Sequence, residues 1–134
     1  MRPKLRQSKD IAASLQSPDR TLFFLVIPEK FGGSLATYKV VAERHYQEKF
    51  REYVQLTETE AELDGRHGIG MTFQGKPANN NTPLKFRIYS LPYDARMVRL
   101  SFLTLDPLFT DAVPIFEKIA VSYHSVGVRD SSKK

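Results

Sequence analysis

Between Tyr53 and Thr57 the apolar residues change their period. Leu35, Tyr38, Ala42, Tyr46, Phe50 and Tyr53 recur every three or four positions, which places them on one face of a helix. Glu43, Arg44, Glu48 and Lys49 fall mostly off that face. From Thr57 the interval is two: Thr57, Thr59, Ala61 and Leu63 alternate with Glu58, Glu60 and Glu62. A chain with this switch has to pack an amphipathic helix against strands. The helix is expected from residue 35 to about 51, with Ser34 as its N-cap after Gly32-Gly33.

The alternation continues in two hairpins. Asp64-Gly65 is a strong turn signal, and Ile69, Met71 and Phe73 then alternate with Gly68, Gly70, Thr72 and Gln74. Residues 75–83 (GKPANNNTP) have loop composition. Leu84, Phe86 and Ile88 alternate with Lys85, Arg87 and Tyr89, and Leu91-Pro92-Tyr93-Asp94 turns the chain. Val98, Leu100 and Phe102 alternate with Arg99, Ser101 and Leu103. Upstream, residues 21–27 (TLFFLVI) read as a buried strand, joined through Pro18-Asp19 to a weaker strand at 11–16. Downstream, Asp106-Pro107 ends the sheet, and Phe109, Ala112, Phe116, Ile119, Ala120 and Tyr123 mark a second helical face. That helix is expected to start near Asp111, so that Pro114 falls in its first turn.

The resulting order is β-β-α-β-β-β-β-α. The alternation predicts a sheet with one apolar face, and both helices need such a face to cover. The expected fold class is therefore α/β (α+β), a curved antiparallel sheet with helices packed on it. At 134 residues the chain suits one domain, expected over residues 11–126 between a basic tail at 1–10 and a second tail at 127–134.

Charge and composition then remove several functions. Of the net +5, +4 lies in Arg2, Lys4, Arg6 and Lys9, and +2 in Arg129, Lys133 and Lys134 against Asp130, leaving −1 for residues 10–128. The domain itself lacks a basic stripe, so specific nucleic-acid binding is not expected. The absence of cysteine excludes disulfides and thiolate metal sites. The longest apolar run, residues 22–28, is far shorter than the roughly 18 residues of a membrane span. Residues 1–10 do not read as a signal peptide. The chain is expected in the cytoplasm unless a targeting segment precedes it in a longer precursor, in which case it is extracytoplasmic.

The helix opened by Ser34-Leu35, the strand ending in Leu63-Asp64-Gly65, the hairpin over 84–105 and the ending Phe109…Pro114-Ile115-Phe116…Ile119-Ala120-Val121-Ser122-Tyr123 together resemble a known family. They are similar to the superfamily of PsbP, the Ran-binding Mog protein and the bacterial DcrB-like proteins, closest to the DcrB-like branch, over residues 11–126. The family's opening strand, with its Pro-Gly-Trp-like turn, has no counterpart in the polar N-terminus. The resemblance implies an α/β/α sandwich without enzymatic activity. It also implies an accessory or assembly role, a lipoprotein domain, or a chaperone of the Eag kind from type VI secretion.

The chemistry-bearing residues offer no catalytic set. His45, His67 and His124 show no metal-ligand spacing and are expected to be structural. Glu58, Glu60 and Glu62 are expected to pair across strands with Lys85, Arg87 and Arg99 rather than to form an acid–base or Ca²⁺ site. Gly65, Gly68 and Gly70 do not open a helix and so make no phosphate cradle, but Gly68 and Gly70 would let a neighbour approach closely. Ser122 and Ser125 lack a nucleophile context. Arg87, Tyr89, Leu91, Tyr93 and Arg99, with Leu103, form the candidate protein-binding set on the polar face of the last hairpin.

The leading expectation is a non-enzymatic protein-binding module, with no cofactor. Two other classes stay open. One is a small-ligand carrier using a sheet–helix concavity opened by Gly68 and Gly70. The other is an enzyme, which would need Asp64, His67 and the Glu row to converge in a cleft. A protein partner is expected, and a homodimer through an exposed sheet edge is a further expectation.

Overall fold

The computed structural model describes residues 13–94 and 96–123. Strands β1 (Ala13–Gln16) and β2 (Leu22–Lys30) precede helix α1 (Leu35–Lys49). Four strands follow: β3 (Arg51–Leu63), β4 (Arg66–Lys76), β5 (Leu84–Tyr93) and β6 (Arg96–Leu105). A 3-10 turn (Asp106–Leu108) leads into α2 (Phe109–Ser122). The strands form one antiparallel sheet in the order β1-β2-β6-β5-β4-β3. Helix α1 therefore carries the chain from β2 to the far edge, and the two hairpins step back until β6 meets β2.

Local chemistry fixes each corner. In the β1–β2 turn, the Asp19 carboxylate accepts from the Ser17 and Thr21 hydroxyls at 2.6 and 2.7 Å, while Arg20 takes φ +61°. Ser34 caps α1 by accepting the Thr37 N–H at 3.1 Å. Asp64 and Gly65 both have positive φ, +52° and +69°, as a type I′ turn requires. Arg51 reaches over the 77–81 loop, donating to the Pro77 and Asn80 carbonyls and to Asn81 Oδ1.

Two helix boundaries differ from the expectation. Helix α1 stops at Lys49; Phe50 caps it, and Glu52 at φ +55° starts a bulged β3. Phe50 and Tyr53 nevertheless reach the same core as α1, which is why they extended its spacing. Helix α2 begins at Phe109, so Pro114 lies inside it rather than in the first turn. Proline cannot donate to the carbonyl four residues back, that of Thr110. Both residues are exposed, so water can take that carbonyl.

The larger correction concerns the sheet. It is apolar on both faces, and each helix covers a different one. On one face Phe109, Ala112, Phe116 and Ala120 of α2 pack on Phe24, Val26, Tyr89, Leu91, Tyr93, Val98, Leu100 and Phe102. On the other, Tyr38, Ala42 and Tyr46 of α1 pack on Met71, Phe73, Phe86, Ile88 and Met97. The result is an α/β/α sandwich. The expected tails at 1–10 and 127–134, and the position of the family's opening strand, lie outside the described residues, as does His124.

Candidate functional site

Alternate residues of β2 point to opposite faces. Phe24 and Val26 belong to the α2-side core. Phe23, Leu25 and Ile27 point to the α1 side, opposite Leu103, Ser101 and Arg99 of β6. These three are only partly buried and belong to neither core. The cause is the placement of α1, whose buried stripe sits on β4 and β5 and only partly covers this face of β2. A cleft of 240 Å³ opens along this margin, with Glu29 and Phe31 on one wall and Tyr38, His45 and Tyr46 on the other. An inner pocket of 100 Å³ continues from it between Leu25, Ile27, Phe86 and Ser101. Arg99 lines both.

Polar groups hold the cleft walls together. Tyr38 donates its hydroxyl to Glu29 Oε1 at 2.6 Å. Burial, with the nearby Tyr46 and Glu29, pushes the Tyr38 phenol well above its ordinary value. Burial likewise raises Tyr46. Arg99 donates from Nη1 to the Tyr46 hydroxyl at 3.3 Å. Its Nε lies 3.2 Å from Glu29 Oε2 but off the hydrogen-bonding direction, so the pair is ionic and that N–H has no hydrogen-bond partner. Ser101 is 4% exposed and its hydroxyl has no partner among the described residues. Lys30 and Lys49 add positive charge along the two cavities.

The candidate protein-binding set from the sequence is divided by the sheet. Arg87, Tyr89, Leu91 and Tyr93 face α2, whereas Arg99 and Leu103 face α1. Tyr89, Leu91 and Tyr93 are buried, 6%, 0% and 7% exposed. Their polar tips are satisfied internally: Arg87 donates to the Tyr89 hydroxyl at 2.9 Å and Tyr93 donates to Asp64 at 2.6 Å.

The expected carboxylate ladder does not form. Strand β4 separates β3 from β5, and Glu58, opposite Met71, lies on the α1 side while Arg87 lies on the other. Glu58 instead pairs with Lys39 at 2.7 Å and Glu60 with His67 at 3.3 Å. Lys85 pairs with Asp106, Arg87 with Glu117 and Arg99 with Glu29. Asp64, His67 and the Glu row do not converge: His67 and Glu60 side chains are 60% and 85% exposed, and Asp64 is bonded to Tyr93. Among the described residues no group of three or more His, Asp or Glu is placed to hold a metal ion.

Close approach at the glycines holds. A Cβ on Gly68 would lie 2.0 Å from the Ser90 carbonyl oxygen, and one on Gly70 3.1 Å from the Thr59 hydroxyl. Leu91 and Tyr89 fill the space over them on the α2 side, while Gly68 borders an open 330 Å³ depression between α1 and the β3–β4 hairpin, lined by Leu35, Lys39, Glu58 and Glu60. The cleft instead involves Glu29, Tyr38 and His45, and the inner pocket Ser101, residues that no pattern in the sequence joins. A signal was present: Ser101 is a lone small polar residue between Leu100 and Phe102, on a strand otherwise rich in large side chains.

This architecture has solved counterparts. PA94, a Pseudomonas aeruginosa protein of unknown function, superposes with a TM-score of 0.75 at 11% identity, covering 89% of this chain and 85% of its own. CyanoP, the cyanobacterial PsbP of Synechocystis, superposes with a TM-score of 0.60 at 12% identity, covering 88% of this chain and 76% of its own. The fold is thus PsbP-like. No family model matches the sequence, and no curated protein matches it. No helix among the described residues is long and apolar enough to cross a membrane.

Proposed function

We propose that this chain is a non-catalytic accessory or assembly module that holds an apolar segment of a protein partner on the sheet margin beside α1. One observation carries the reading: Phe23, Leu25 and Ile27 project from a strand inside the sheet, yet neither core absorbs them. A contiguous apolar row left partly open is a mark of an interaction surface. The set expected from sequence contributes Arg99 and Leu103 to this margin, since its tyrosines serve the α2-side core. The PsbP-like fold of CyanoP, and the sequence resemblance to accessory proteins and Eag-like chaperones, support the same reading.

Site-specific photocross-linking tests it. A photoreactive side chain at Leu25 should capture one defined partner in the native cell. The same group at Val54, exposed on the α2 side, should not. Ile27→Asp should abolish the Leu25 capture without altering secondary structure. Equal capture from both positions, or none from Leu25, would refute the reading. Capture of a second copy would make the margin a dimer interface instead.

A further inference from the structure

We propose that the inner pocket between α1 and β6 binds a small anionic amphiphile, a medium-chain carboxylate. This goes beyond the protein-binding reading in naming a ligand for the 100 Å³ cavity, whose Leu25 and Ile27 walls belong to the same margin.

Four observations converge. The first is Ser101, whose hydroxyl is buried at 4% exposure without a partner and lines the cavity. Buried polar groups are nearly always paired, so an orphan donor facing a cavity points to something that fills it. The second is Arg99. Its side chain is 16% exposed, its Nε lacks a hydrogen-bond partner, and it borders both cavities. A guanidinium has five N–H donors, and among the described residues only Tyr46 accepts a hydrogen bond from one of them. Ser101 and Arg99 are two residues apart on one strand and share a face. A carboxylate between them would give both a partner.

The third is the sign of the rim. Lys49 of α1 stands over the inner pocket, and Lys30 borders the outer cleft. The sole acid lining either cavity among the described residues, Glu29, already accepts from Tyr38 and faces Arg99. The fourth is the wall. Leu25, Ile27, Phe86 and Leu103 surround the polar pair, the usual composition of a small-molecule site with few polar anchors. The cavity takes a carboxylate and its first carbons. The rest of the chain would lie on Leu25 and Ile27, which suits a medium-length tail. A water molecule alone could satisfy the hydroxyl and the guanidinium, but it would need neither the cationic rim nor the apolar wall.

Octanoate is the probe, followed by amide chemical-shift mapping and calorimetry on the full chain, with octanol as the uncharged control. Octanoate should saturate, moving the amides of residues 45–49 and 99–101. Octanol should bind about tenfold more weakly, and Ser101→Val, which fills the cavity and removes the donor, should weaken octanoate by about tenfold. Lys49→Ala, on the exposed helix surface, should weaken octanoate by about threefold and keep the fold if Ser101→Val does not. Absence of saturable shifts, equal binding of octanol, or indifference to Lys49→Ala would each overturn the proposal.

Discussion

Two arginines, one on each face of the sheet, show how differently the two halves of this sandwich are closed. Arg87, on the α2 side, donates to the Tyr89 hydroxyl at 2.9 Å and to Thr72 at 3.0 Å, and forms an ion pair with Glu117 of α2 at 3.5 Å. Arg99, on the α1 side, has the same kinds of neighbour, a tyrosine and a glutamate, yet keeps an unsatisfied N–H. The strand between the helices repeats the contrast. Phe24 stacks on Phe102 at 4.6 Å, and Phe102 lies 4.9 Å from Phe116, so α2 seals its face over β2. Phe23, one residue earlier and on the other face, belongs to neither helix-covered core. Strand propensity is equal at the two positions. What differs is how far across the sheet each helix sits.

The sharpest way to break this comparison is to truncate the two neighbours. Phe24→Ala should destabilise by about 3–5 kcal/mol, the usual cost of emptying an aromatic site in a core, whereas Phe23→Ala should cost less than about 1.5 kcal/mol. Denaturant unfolding would read both. Equal losses would mean that the α1-side margin is as much core as the α2 side.

Alkali should act next, and chiefly through tyrosines. Burial raises Tyr38 and Tyr46 on the α1 side; burial and the bond to Asp64 raise Tyr93 on the α2 side; and burial pushes half-buried Tyr53 up to about 12. The folded state thus keeps these four phenols protonated where the unfolded chain, near 10.0, releases them. Above that pH the unfolded state binds fewer protons, so stability is intact below 10 and falls as pH rises through it. Phenolate absorbance and unfolding midpoints should change together. Tyr38→Phe should flatten the profile more than Tyr53→Phe, and the reverse order would place the tighter burial at β3.

The smallest effect separates two buried hydroxyls of β6. Thr104, 1% exposed, donates to the Thr21 carbonyl at 2.6 Å, so Thr104→Val should cost about 1 kcal/mol. Ser101 donates to nothing described, so Ser101→Ala should be neutral or stabilising by up to about 1 kcal/mol. A loss at Ser101 as large as that at Thr104 would show that an ordered water already occupies the inner pocket.

Much of the architecture was legible because it rests on local rules. The period switch announced α1 and the hairpins, Ser34 marked the cap, and Asp64-Gly65 marked the I′ turn. What escaped was amphipathic. Arg87, Tyr89 and Tyr93 alternate with Phe86 and Ile88, and so read as a polar face. Their stems and rings are buried while their tips bond to Thr72, Asp64 and Glu117. The charge ladder failed for a different reason, since alternation fixes which residues share a face within a strand but not which strands become neighbours. The candidate site was the least legible part. Glu29, Arg99 and Tyr46 come from β2, β6 and α1, and only the lateral placement of a helix brings them together.

The two outer borders of the sheet are unequal, and this bears on aggregation. β1 offers four residues of open backbone, with Leu15 59% exposed beside it. β3 offers thirteen, long enough to template another chain, but it is bulged near Leu56 and studded with Glu58, Glu60 and Glu62. Those carboxylates act as gatekeepers, because a foreign strand pairing there would have to lie beside three acidic side chains. Replacing all three by glutamine should therefore favour edge-to-edge polymers even where the fold itself survives, which light scattering would read.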